Sequence, residues 1–468
     1  MQYVSTRGEA PRLSFAQAML AGLAQDGGLY VPQSYPALTR AAISGFAGLS
    51  YQSVARQVIA PFGVAPADLD AALDRAYAQF RHVAVTPLTQ IGDNLFVLEL
   101  AHGPTLAFKD VAMQLLGRLM NAELGRQGRR ATIVGATSGD TGAAAMEAFK
   151  GLSHVDVFIL FPDGRVSDVQ RRQMTTVDDV NVHALALDGS FDDCQAILKR
   201  MFMNAAFRDS VQLSGVNSIN WARVVAQVVY YFVGASALGA PHRPVSFAVP
   251  TGNFGDILAG WIAKKMGLPV NRLSIATNAN DILARTLASG CYETRGVTPT
   301  QSPSMDIQVS SNFERLLFEA LGRDAGAVRG LMANLAQSGR FEIPAPALAA
   351  IRAEFDAATL DEKGTTEEIA RVWREAEYIV DPHTACGVAA ARKLLAADPA
   401  TPVLALSTAH PAKFPQAVKR AIGRTAPLPG HLAHLMEAKE RMTRLPNDQK
   451  AVEDFVRANA RVTQGAAA

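Results

Sequence analysis

Residues 131–150 read ATIVGATSGDTGAAAMEAFK. The first five are apolar or β-branched, a run the length of a buried strand, and the last eight carry small and apolar residues at helical period. Between them lies GATSGDTG (135–142), so the chain passes from strand to helix through a turn rich in glycine and hydroxyls. The same succession recurs. Strand-length apolar runs at 155–161 (VDVFILF), 182–187, 245–249 (VSFAV) and 403–406 alternate with helical-period stretches such as 109–124, 141–149, 191–202 and 257–266. That alternation predicts βαβ units and a mostly parallel sheet with helices on both faces.

Outside this region the pattern changes. The first ~85 residues are predicted mainly helical, with AQAMLAGLAQ near the start and DLDAALDRAYAQF later, separated by a Gly/Pro-rich break, DGGLYVPQSYP (26–36). An Ala/Glu/Arg-rich segment from about 324 to 376 also predicts peripheral helix. At about 150 residues per domain, 468 residues allow roughly three domains.

Composition narrows the function classes. Apolar residues make up 49% and charged residues 19%, enough apolar area for a packed core and against disorder. The formal net charge is +2, which provides no global field for nucleic acid or an anionic membrane. Cys194, Cys291 and Cys386 are too sparse for a disulfide framework or a zinc ribbon. The opening residues MQYVSTRGEAPRLSF show no apolar signal region, and the most membrane-like stretch, VVAQVVYYFVGASALGA (224–240), is interrupted by Gln227 and Ser236 and too short to span. The expectation is a cytoplasmic protein with a buried helix at 224–240.

In an α/β sheet, ligands collect at the carboxyl ends of strands. In the 135–142 turn, Thr137, Ser138 and Thr141 offer hydroxyls beside free helix N–H groups, a site for a carboxylate or phosphate. An ordinary helix cap has the same composition, so this turn alone admits either reading. A second turn, PTGNFGD (250–256), follows VSFAV and precedes another helix, again without a lysine. A third feature is Lys109 in GPTLAFKD (103–110). Flanked by Leu106, Phe108 and Val111, its ammonium would be partly desolvated, which favours the neutral amine that builds a Schiff base. A fourth is LSTAHPAKF (406–414), where hydroxyls, an imidazole and an ammonium converge at the end of a strand. His431 and His434 with Glu437 have metal-like spacing but no converging partner and are predicted to lie on a solvated face, so no metal site is expected. His183 is predicted to be a core histidine.

Together these residues resemble the threonine synthase family of fold type II pyridoxal-phosphate enzymes. The resemblance rests on AFKD, TSGDTG, Gly-Asn-Phe-Gly and STAHPAKF, and extends to YVSTRG, DGGLYVP, SINWAR (218–223) and DPHTACG (381–387), nearly the whole chain. It implies an α/β fold of two open, mostly parallel sheets flanked by helices, with helical N-terminal and C-terminal additions. The expected division is a mainly helical domain at 1–90, an α/β domain with the lysine and the substrate-carboxylate loop at 91–230, and a larger α/β domain with the cofactor-phosphate loop at 231–468, including a helical insertion at about 324–376.

The resemblance also implies the reaction, O-phospho-L-homoserine and water to L-threonine and phosphate, with pyridoxal 5′-phosphate as cofactor. By carry-over Lys109 holds the cofactor as a Schiff base and then shuttles protons. Gly252, Asn253, Phe254 and Gly255 bind its phosphate, and Thr408, or else Ser407, meets its pyridine nitrogen. Asp140 is also expected at the cofactor, where related enzymes often carry an Asn that donates to the 3′-oxygen; an ionised Asp offers no such donor. Thr137, Ser138 and Thr141 are expected to take the substrate carboxylate. Asn220, Arg223, His410 and Lys413 are the candidates for the leaving phosphate. The expected partners are the small-molecule substrate and at most a second copy of the chain, as monomer or homodimer. Two alternatives stay open: a threonine synthase-like phospholyase giving a 2-oxo acid, and a non-catalytic phosphometabolite-binding protein.

Overall fold

The computed structural model describes residues 1–464. Every predicted strand forms, and the strands assemble into two sheets. The larger has six strands in the order Phe355–Thr359, Val270–Thr277, Val245–Pro250, Val403–Ser407, Leu95–Glu99, Leu88–Gly92. All its pairings are parallel except the last, which is antiparallel. The smaller is wholly parallel, in the order Thr443–Leu445, Val182–Leu187, Val155–Pro162, Ala131–Ala136, Leu213–Ser214. Each sheet has a point where successive connections leave in opposite directions. In the large sheet it falls between Val245–Pro250 and Val403–Ser407, and in the small one between Ala131–Ala136 and Leu213–Ser214. Crevices at such points are where α/β sheets bind ligands, and three of the motif-bearing turns leave from them.

Two long helices lie between the sheets and the N-terminal region. Lys109–Arg126 is buried along most of its length, and Trp221–Ala237 is buried continuously from Val224 to Phe232. The latter is the membrane-like stretch of the sequence. It is apolar because it is covered on all sides, as a helix inside a large core must be. No described helix is long and apolar enough to cross a membrane. The N-terminal helices Phe15–Ala21, Arg40–Ser44, Tyr51–Ile59 and Pro66–Tyr77 pack on this pair, with Tyr3 and Phe62 against the Trp221 ring at 5.8 and 6.1 Å. His183 stacks on Phe158 at 4.4 Å but is only partly buried and its Nε2 has no partner among the described residues, so it is not the satisfied core histidine expected.

Four further expectations need correction. The break at 26–36 contains a strand, Tyr30–Pro32, paired antiparallel with Tyr3–Ser5; three residues are too few to show an alternation. The segment 324–376 is not wholly helical. Phe355–Thr359 is the parallel edge strand of the large sheet, an Ala-rich run held by a chelating Arg272–Asp356 pair rather than by β-branched side chains. Residues 88–99, whose last nine fall within the domain expected at 91–230, pair in the large sheet, because Leu95–Glu99 is the parallel neighbour of Val403–Ser407. Conversely Thr443–Leu445, within the domain expected at 231–468, is the edge strand of the small sheet, and the helix Gln449–Asn459 packs against that sheet. Contiguous boundaries at 91 and 231 therefore do not follow the sheets.

The return of the C-terminal segment is fixed by one buried charge. Asp156, fully buried on the strand Val155–Pro162, accepts from the Arg461 amide at 2.8 Å and from its Nε at 2.5 Å, while the same guanidinium donates to the carbonyls of Leu152 and Val155. Removing one partner of such a pair strands the other charge. Arg461→Ala should cost about 3 kcal/mol in urea denaturation; a loss under about 1 kcal/mol would mean that Asp156 finds another partner.

Candidate active site

The segments carrying Lys109 and Thr408 are zipped together. The His410 amide donates to Leu106 O at 3.0 Å, the Phe108 amide donates to Thr408 O at 2.9 Å, and Ala107 and Ala409 form an isolated bridge. Asp110 closes the turn from the other side, accepting from the Thr105 amide and hydroxyl at 2.8 and 2.6 Å. Lys109 therefore opens its helix at the carboxyl edge of the large sheet, facing the 135–142 loop of the small one.

Its amine meets a buried carboxylate. Lys109 Nζ lies 3.4 Å from Asp140 Oδ2 and 3.4 Å from Ser304 Oγ. Asp140 also pairs with Lys413 Nζ at 2.6 Å and accepts from Gln170 Nε2 at 2.8 Å. Burial pushes the Lys109 amine below the ordinary lysine range; Asp140 pulls it back, while the charges of Lys413 and Arg223 push it further down. Burial alone would raise the Asp140 carboxyl, but Lys413 and Lys109 outweigh it and hold it well below the usual carboxylate range. Asp140 is thus an anion and an acceptor, never a donor to a cofactor oxygen.

Two turns present unused N–H groups. In PTGNFGD, Phe254 sits at φ 61°, a left-handed conformation for an aromatic residue, held there by its buried ring against Phe313 at 5.4 Å and Phe355 at 5.7 Å. Left-handed geometry directs successive amides into one concavity. Those of Gly252, Asn253, Phe254 and Gly255 find no acceptor among the described residues, and Gly255 opens an 11-residue helix. A Cβ on Gly252 would meet the Ser304 carbonyl at 2.6 Å, so only glycine lets the loop 302–306 close over the turn. In the other turn Thr137 Oγ1 accepts from the amides of Gly139 and Gly142, both at 3.0 Å, folding the loop around itself. Ser138 and Thr141 keep partly exposed hydroxyls without partners among the described residues, beside the start of the helix Asp140–Phe149.

Of the four residues expected at the leaving phosphate, only Arg223 fits. It is buried, donates one bond, to Val216 O at 2.9 Å, and leaves Nε without a partner. Burial pushes its pKa down to about 10, so it stays cationic at neutral pH. Asn220 is instead the cap of the helix Trp221–Ala237: its side chain accepts from the Ala222 amide and donates to Met19 O and Gly215 O. Lys413 is fully buried and committed to Asp140 and Thr105 O. His410 is pushed down to about 4, first by burial and then by His102, and its Nδ1 accepts from the Ala412 amide, so it brings no positive charge. Ser407 accepts from Thr384 Oγ1 at 3.2 Å, whereas the hydroxyl of Thr408, on the opposite face, has no partner among the described residues.

Ser304 and Gln170 carry no motif signal, and DPHTACG, the quoted stretch that contains His383, gives that residue no role. Ser304 lies in TPTQSPSM (298–305), in the short 3-10 turn Pro303–Met305, where no periodicity or glycine pattern marks it. Gln170 is one polar residue on an ordinary helix. His383 is placed by a local chain, its Nδ1 donating to Asp381 at 2.6 Å and its Nε2 accepting the Ser304 amide at 3.2 Å.

Comparison with known proteins agrees with this geometry. Family models match along the chain: threonine synthase N terminus at residues 2–77, pyridoxal-phosphate dependent enzyme at 80–334 and threonine synthase C-terminal at 384–456. The threonine synthase of Pseudomonas aeruginosa is 50% identical over 460 residues, covering 97% of this chain and 98% of its own. The chain belongs to the threonine synthase family. Among solved structures, a pyridoxal-phosphate-bound threonine synthase from Brucella melitensis superposes with a TM-score of 0.96 at 59% identity, covering 98% of this chain and all of the other. Threonine synthase from yeast gives 0.92 at 40% identity, with 98% of each chain covered. The family depends on pyridoxal phosphate, and the residues here fit that group: a desolvated amine, a cradle of free amides for a phosphate and an unpaired hydroxyl at Thr408. Among the described residues no cluster suits a metal.

Asp256, beside the Gly252–Gly255 turn, gives this site a stability signature. It is buried, accepts from Tyr230 and Tyr231 hydroxyls at 2.5 and 2.9 Å, and leaves Oδ2 unpartnered. Burial pushes its carboxyl up to about 6, against the pull of both tyrosines and Lys109. A raised folded pKa contributes stability that is complete below the unfolded value near 4 and lost as pH rises through 6. Asp256→Asn keeps an acceptor but does not ionise. The stability difference should therefore shift in favour of the variant by up to about 3 kcal/mol between pH ~4 and ~6; a difference independent of pH would contradict this.

Proposed function

We propose that this chain converts O-phospho-L-homoserine and water to L-threonine and inorganic phosphate, with pyridoxal 5′-phosphate as resident cofactor. One observation carries the reading. A buried amine with a depressed pKa, two turns of unused amides and a guanidinium with a free Nε converge where two parallel sheets end. When bound, the cofactor supplies an electron sink for charge developing at substrate Cα and Cβ.

The chain supplies the rest. Lys109 anchors the cofactor through its amine, and once displaced by substrate it moves protons at Cα and then Cβ; its depressed pKa enlarges the neutral fraction available for both. Ser138 and Thr141, with the first amides of the helix Asp140–Phe149, bind the substrate carboxylate, and Thr137 shapes that loop from behind. Arg223 takes the substrate phosphate and follows it as it leaves. Thr408 offers the pyridine nitrogen a neutral hydroxyl, which imposes no proton on it. Free thiols at Cys194, Cys291 and Cys386 suit a reducing, cytoplasmic compartment.

Incubating the purified protein with O-phospho-L-homoserine should give threonine and phosphate in equal amounts. 2-Oxobutyrate without threonine would replace this reading by a phospholyase, and neither product, from a protein with no visible absorbance, by a binding protein. Lys109→Ala should lose both the absorbance of bound cofactor and all turnover. Arg223→Ala should keep the absorbance and lose roughly a hundredfold in kcat/KM, the scale of a buried charge-assisted contact. A full-strength Arg223→Ala enzyme would remove Arg223 from the phosphate site.

A further inference from the structure

Behind the Gly252–Gly255 turn stand Ser310 and Asn312, both buried, and Arg315 on the adjoining helix Phe313–Ala320. Ser310 Oγ donates to Gly252 O at 2.6 Å. Asn312 donates to Asn253 O twice, from its amide at 3.1 Å and from Nδ2 at 2.9 Å, and Nδ2 also donates to Ser218 O at 3.2 Å. Arg315 is fully buried, with no carboxylate partner among the described residues. Its guanidinium donates to Asn312 Oδ1, to Tyr30 O at 3.0 Å and to Ile219 O at 2.7 Å. A guanidinium has only donors, so it fixes Asn312 with Oδ1 towards itself and Nδ2 towards the two carbonyls.

These bonds determine where the turn's amides point. In a trans peptide the C=O and the following N–H face opposite ways. With Gly252 O drawn to Ser310, the Asn253 amide faces away from it. With Asn253 O drawn to Asn312, the Phe254 amide does the same. Both then open into the concavity in front of the helix Gly255–Lys265. We propose that Ser310 and Asn312, the latter oriented by Arg315, are positioning residues that aim the Asn253 and Phe254 amides at the cofactor phosphate. The same Nδ2 ties Ser218, and with it the segment leading to Arg223, to this staple, so the two phosphate sites share one support. Tyr30, in the N-terminal ribbon, completes it, which gives the first residues of the chain a bearing on the site. The proposal rests on the assignment of the turn as the cofactor-phosphate site.

The test separates that assignment from the staple. The full-length enzyme, freed of cofactor with hydroxylamine, is titrated with pyridoxal phosphate and with pyridoxal, which has the same aldehyde and no phosphate. Ser310→Ala should weaken pyridoxal phosphate binding roughly five- to tenfold, and Asn312→Asp, which keeps the size, the Arg315 contact and the backbone bond to Asn253 O but loses the Nδ2 donor, by about tenfold. Pyridoxal binding should stay within about twofold in both. Equal losses for the two aldehydes, or none for either, would overturn the staple. If the unsubstituted enzyme bound both aldehydes equally, the phosphate-turn assignment itself would fail. Circular dichroism monitors folding, and if Asn312→Asp does not fold, Ser310→Ala decides alone.

Discussion

A carboxylate buried without compensation costs several kcal/mol, and Asp140 escapes that cost only through what three distant segments bring to it. Lys413 arrives from the end of the large sheet, Lys109 from the helix that starts beside it, and Gln170 from the small sheet's own side. The two sheets are therefore registered across their cleft by one anion and two cations. The same cluster sets the chemistry of Lys109. Burial, Lys413 and Arg223 favour its neutral amine and Asp140 favours its ammonium, with burial the largest influence and the net effect a lowered pKa. Lys413, which the sequence suggested as a substrate ligand, serves the site from behind by keeping Asp140 ionised.

In the proposed site, main-chain groups do most of the anion binding. A net charge of +2 on 468 residues leaves no basic surface to attract phosphates, and none is needed where helix starts and left-handed turns present free amides. The strained residue at the phosphate turn is a phenylalanine rather than a glycine, and its conformation is paid for by packing against Phe313 and Phe355. A turn so constrained depends on its neighbours for the direction of each amide, and the hydrogen bonds from Ser310 and Asn312 supply that direction.

The sequence displayed the elements that repeat a strong period: the strands at 131, 155, 182, 245 and 403 and the helices between them lie where periodicity puts them. It also displayed the residues on which the proposed site rests, Lys109, the turns at 135–142 and 250–256 and Thr408, because strand-to-helix turns are local and glycine or hydroxyl content marks them. Features created by tertiary contact did not show. Phe355–Thr359 is a strand because Val270–Thr277 leaves an edge free beside it, not because FDAAT favours one. Asn220, His410 and Lys413 have the right chemistry for a phosphate, but only the fold shows that Asn220 caps a helix, that burial keeps His410 neutral and that Lys413 faces a carboxylate. Ser304, Gln170 and Ser310 are polar residues in unremarked stretches, meaningful only for what they touch.

The charge balance around Lys109 is accessible to one measurement, the pH dependence of cofactor capture by the full chain, followed by visible absorbance in the parent, Lys413→Met and Asp140→Asn. Capture requires the neutral amine, so its midpoint follows Lys109. Removing the positive neighbour stabilises the ammonium and should move the midpoint to higher pH; removing the negative one should move it lower. Opposite shifts are the predicted result. A midpoint that stays the same in all three proteins would contradict the view that Asp140 and its cations govern this site.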